Sequence, residues 1–133
     1  MIGRERIGYD FAVLRAVPRV HLGVFANVGV VIHARTAEFL ALRAVDDAAT
    51  LATLAPGVDA ELLLRYLRSW AAICAGSADA GPVALAPPSE RFHWLTAPRS
   101  DVLQSSPVHE GMCDDLTKAV DDLFAAYVVR SNA

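Results

Sequence analysis

Apolar and polar side chains alternate from Tyr9 to Val17, with Tyr9, Phe11, Val13, Arg15 and Val17 on one side and Asp10, Ala12, Leu14 and Ala16 on the other. That period of two predicts a first strand. Pro18, which has no N–H to give a ladder, is expected to end it. A second strand is predicted over Val24–Arg35, a β-branched run around Asn27-Val28-Gly29-Val30-Val31. Thr36-Ala37 links it to Glu38–Val45, where Phe39, Ala41, Arg43 and Val45 alternate with their neighbours, so strands two and three should form an antiparallel hairpin. Gly29 inside a strand marks a bulge or a close approach by a neighbour.

The period then changes. Asp47–Leu54 reads as a short helix stopped by Pro56-Gly57. Asp59 is a natural N-cap, and Leu63, Leu67, Trp70 and Cys74 fall at helical spacing, which predicts a helix from Ala60 to about Ala75. Ser77–Ser89, with Gly81, Pro82, Pro87 and Pro88, reads as a loop. A last helix is expected from about Asp115 to Val129, capped by Asp114, with Leu116, Val120, Leu123 and Tyr127 on one face. Strands followed by helices predict an α+β fold: one domain, with a small antiparallel sheet of three or more strands covered on one face by two main helices. Within residues 1–133 the expected order is a tail (1–8), strands (9–45), helices (47–75), a loop and polar segment (77–111) and a C-terminal helix (114–129).

At 133 residues and 54% hydrophobic, the chain is long enough for one core and too apolar for disorder. The longest uncharged apolar stretch, Val20 to Ala34, is too short and too polar for a bilayer, and the first residues lack the pattern of a secretion signal. Cys74 and Cys113 show neither zinc spacing nor a disulfide framework, which favours reduced thiols and a cytoplasmic location. Eleven Arg against one Lys, with 24 Ala, suggests a GC-rich bacterial genome. The net charge of −3 hides an asymmetry: residues 1–43 carry +3 and residues 44–133 carry −6. Either the halves complement each other or the strand half offers a face to anions. The composition does not point to nucleic acid.

Between Arg91 and Gly111 polar side chains crowd among Phe92, Trp94 and Leu95, as in an ordered, site-forming segment. Arg99 beside Ser100 suits a carboxylate or phosphate, and Gln104 adds an amide. His109 could titrate near neutrality. A nucleophilic Ser106 with His109 as its base is the catalytic candidate, although no nucleophile elbow surrounds the serine. Arg15 and Asn27 are the candidate binding residues of the strands. No metal-ligand spacing and no phosphate or dinucleotide loop is present, so no metal and no cofactor is expected.

With Tyr9-Asp10-Phe11-Ala12-Val13-Leu14-Arg15-Ala16-Val17-Pro18, Phe25-Ala26-Asn27-Val28-Gly29-Val30-Val31, Leu95-Thr96-Ala97-Pro98-Arg99-Ser100 and Gln104-Ser105-Ser106-Pro107-Val108-His109-Glu110-Gly111, the chain resembles a bacterial domain-of-unknown-function family, numbered 3037, over about residues 8–129. Where that family commonly has an Arg-Gly-Glu stretch, this chain has Leu22-Gly23-Val24. The resemblance brings no reaction. It does imply a protein partner, because members often sit beside genes for kinase-like proteins of the HipA type. The expected function is a non-catalytic interaction or accessory subunit, such as one serving a HipA-like kinase. The alternative is a protein that holds an anionic metabolite or nucleotide with Arg15, Arg99 and Ser100, using His109 as acid or base. A free sheet edge also leaves homo-oligomers open.

Overall fold

A computed structural model describes residues 6–19, 24–99 and 101–132. The expected hairpin is formed: β1 (Ile7–Arg19), β2 (Val24–Ala34) and β3 (Phe39–Ala44) pair antiparallel in chain order. Residues 35–38 make the β2–β3 turn, closed by the Glu38 amide donating to Arg35 O. β1 runs on through Pro18, because a register shift between Ala16 and Arg19 places the missing N–H where the ladder is already interrupted. A second shift pairs Leu14 with Gly29 but Arg15 with Asn27, leaving Val28 as the extra residue of a bulge. Gly29 itself meets a neighbouring backbone: a Cβ there would come within 3.0 Å of Arg43 O and of Ala44 Cβ.

The far side of β1 carries two short strands, β4 (Leu103–Ser105) and β5 (His109–Cys113). They act as one edge strand broken at residues 106–108, giving the order β3-β2-β1 with β4 and β5 end to end. The helices are α1 (Ala48–Leu54), α2 (Ala60–Cys74), α3 (Pro88–Thr96) and α4 (Leu116–Phe124). The last continues as a π-helical turn, Ala125–Arg130. Asp59 caps α2 as expected; Asp47, expected as the first residue of the short helix, is the cap of α1, and Asp115, not Asp114, accepts from the Lys118 amide at the start of α4. Residues 77–111, which read as a loop and polar segment, instead hold two 3₁₀ turns, α3, β4 and the start of β5. Proline explains part of the difference, since Pro88 opens α3 at a helix's first turn, where its missing N–H costs nothing.

The sheet is covered on both faces, which corrects the expectation of one. His33 stacks on Phe92 of α3, and α3 in turn meets α2 through Trp94 and Trp70. His33 pairs with Asp10, so this is the face of Asp10, Ala12, Leu14 and Ala16. Phe11 on the opposite face touches Tyr127, and Arg43 bonds Asp121 and lies over Phe124, so α4 and its π turn cover that side. The result is an α+β domain of three layers. Leu14, Ile32, Leu63 and Leu95 are fully buried, each stabilising by about 1.5–3 kcal/mol. No helix among the described residues is long and apolar enough to cross a membrane.

Candidate functional site

Residues directly opposite on neighbouring strands share a face and stand about 5 Å apart. Asn27 is opposite Arg15, and Arg15 is opposite Gln104, so β2, β1 and β4 set three sequence-predicted residues in one row. The Arg15 guanidinium lies 4.1 Å above the ring of Phe25, itself 48% exposed. Both amides are already engaged: Asn27 Nδ2 donates to Tyr127 O in the π turn, and Gln104 Nε2 donates to Asp101 O. Asn132 Nδ2 donates to Asn27 O, so Asn27 also clips the end of the chain to the sheet. Arg15 Nε and Asn27 Oδ1 are covered and have no partner. Leaving such atoms unpaired costs about 1–3 kcal/mol each. Among the described residues Arg15 has no carboxylate partner, whereas Arg43, Arg68 and Lys118 each have one.

The other predicted residues go elsewhere. Arg99 lies across the sheet, sandwiched 4.6 Å from the Trp70 ring and 4.5 Å from the Trp94 ring, with Nη2 donating to Trp94 O. Burial lowers its pKa from the ordinary value, and Asp101 opposes the shift. This guanidinium ties α2 to α3. Ser106 is buried at the break between β4 and β5. Its Oγ accepts from the Val13 amide and donates to Pro107 O, while its own amide donates to Val13 O. The side chain thereby replaces a rung of the ladder, and no base is bonded to it among the described residues. His109 is exposed, with its ring against Phe11. Ser100 lies outside the described residues. Burial pushes the Cys74 thiol up to about 11, so it stays protonated.

A second row was not singled out by the sequence. His33, Asp10 and Glu110 are cross-strand neighbours on β2, β1 and β5, on the face opposite Arg15. They line an open cavity of about 290 Å³ with Tyr9, Arg35 and Thr36. Burial lowers the His33 pKa from its ordinary value, Asp10 raises it and Arg35 lowers it further. Asp10 was legible as a charge on a side of β1 otherwise made of Ala and Leu. Glu110 was not, because nothing in its segment predicted a strand.

The model of one family, described as a protein of unknown function (DUF3037), matches residues 11–128. No curated protein and no solved structure matches the chain.

Proposed function

The chain belongs to the DUF3037 family, whose description names no activity, and from its geometry we propose a non-catalytic interaction domain that receives an acidic segment of a partner protein on Arg15. The observation that carries this reading is a half-buried guanidinium, seated on a half-exposed Phe25, that no described carboxylate neutralises. A guanidinium stacked on an aromatic face carries a planar fork of donors that suits both oxygens of a carboxylate. The flanking Asn27 supports a polypeptide ligand over a bare anion. Its Oδ1 is an acceptor without a partner, and a peptide brings N–H donors together with its carboxylates. Nε and Oδ1 are covered, so pairing them requires the two side chains to turn as the ligand seats.

Fluorescence anisotropy with a labelled peptide of alternating glutamate and glycine tests this. Saturable binding is expected, weakening with salt and by at least about tenfold in Arg15→Gln, equivalent to about 1.4 kcal/mol. Equal binding by Arg15→Gln, or by the glutamine version of the peptide, sinks the proposal. Displacement by inorganic phosphate at equal charge favours the anionic small-molecule reading instead. A HipA-like kinase is one partner of the proposed kind, and its check is co-elution on gel filtration that Arg15→Gln abolishes.

A further inference from the structure

The row on the other face has its own chemistry. Asp10 and Glu110 are directly opposite each other on β1 and β5, and neither carboxylate has an ion-pair partner among the described residues. Like charges in that position destabilise a sheet. The two acids alone make no site, but His33 adds an independent observation. It is only 7% exposed and held by Phe92, yet no described group bonds its ring, and neither ring nitrogen is sealed from the cavity it lines. A polar ring buried to that degree ordinarily has a partner.

We propose that the cavity bounded by His33, Asp10 and Glu110 binds a small primary amine, its ammonium held between the two carboxylates and its body lying toward His33. An ammonium has three donors and no acceptor, which matches the facing carboxylates of Asp10 and Glu110. Its charge also removes the repulsion between the acids. Among the described residues no group of three His, Cys, Asp or Glu is set to hold a metal ion, so the row suits an organic cation with a body better than a bare metal. The volume of about 290 Å³ suits a small molecule. Arg35 and Thr36, both exposed, also line the cavity.

Titration of the whole chain with n-propylammonium chloride, followed by NMR of the His33 ring, tests this, with n-propanol and sodium propionate as controls. Expected is a saturable shift of the His33 resonances with the ammonium alone, at millimolar concentration for so small a ligand. Asp10→Asn and Glu110→Gln, which preserve shape, should each weaken it at least tenfold. The proposal is overturned by absence of a saturable shift up to about 50 mM, far above the range expected of a bound fragment. It is equally overturned by unchanged affinity in both variants, or by an equal response to propionate. Arg15→Gln, on the opposite face, should leave the titration unchanged; loss of binding there would place the amine elsewhere.

Discussion

Ser106 shows how one side chain can suggest chemistry and serve structure. Its hydroxyl accepts from the Val13 amide where the edge strand breaks. Ser106→Ala should therefore orphan a buried donor and cost about 1–3 kcal/mol, read as a lower denaturant midpoint. Stability equal to the wild type would mean that the hydroxyl is free for other work. His33 gives a pH dependence with a definite sign. Burial lowers its folded pKa below the ordinary 6.5, so between the two values the unfolded chain binds a proton that the folded chain does not. The contribution is present above about 6.5 and is lost as pH falls through the folded value. Asp10 faces His33 and favours the proton, while Arg35 disfavours it; Glu110 lines the same cavity beyond Asp10. Urea midpoints at pH 7.5 and 5.5 should differ more in the wild type than in His33→Phe, and identical differences would remove His33 as the cause. At this scale the candidate site was half legible. Arg15, Asn27 and Gln104 were visible as polar residues in or near strands, but their meeting in one row depends on a bulge at Val28 and on β4. Arg99 was visible too, though nothing local reveals that two tryptophans from separate helices enclose it.

Elements with a strong repeat were the ones the sequence could name. β1 and β3 carry alternation, β2 a β-branched run, and α2 a cap and a stripe, so their bounds differ from expectation by a residue or two. β4 is three residues long, and β5 includes His109, Glu110 and Gly111, so neither shows a period; both exist because β1 offers an unpaired side. Gly111 illustrates the dependence on partners. The Tyr9 ring lies where a Cβ of residue 111 would stand, a constraint invisible until the two strands are side by side. Gly29 is constrained more firmly because its neighbour is the backbone of β3, which cannot swing away as a side chain can. Gly29→Ala should force β2 and β3 apart and cost about 1–3 kcal/mol, seen as faster hydrogen exchange at the amides that join the two strands. Gly29→Ala with unchanged exchange at Val30, Ile32 and their β3 partners would show that the approach is looser than the geometry says.

At the scale of the whole molecule the second helical layer matters most, because it decides which surfaces remain for partners. The charge asymmetry allowed the two halves of the chain to neutralise each other, yet the ion pair that joins them among the described residues is Arg43 with Asp121, and both side chains are about half exposed. Exposed pairs of that kind contribute little, so the α4 layer must be held chiefly by apolar contact. Phe11 lies against Tyr127, while Val13 and Val30 are buried in the row that ends at Arg43. Removing residues 115–133 would bare this stripe and also release Asn27 from Tyr127 and Asn132. A two-layer remainder with an open apolar sheet face is expected to bind a hydrophobic dye, lose its sharp unfolding transition and self-associate. A monomeric remainder that unfolds as cooperatively as the full chain would mean that the C-terminal helix is an appendage. The uncovered stretch around Arg15 and Phe25 would then be only part of a larger free face. If the truncation instead collapses the fold, that stretch is what remains of this face beyond the helix, and a partner reaching the sheet from this side must approach at Arg15.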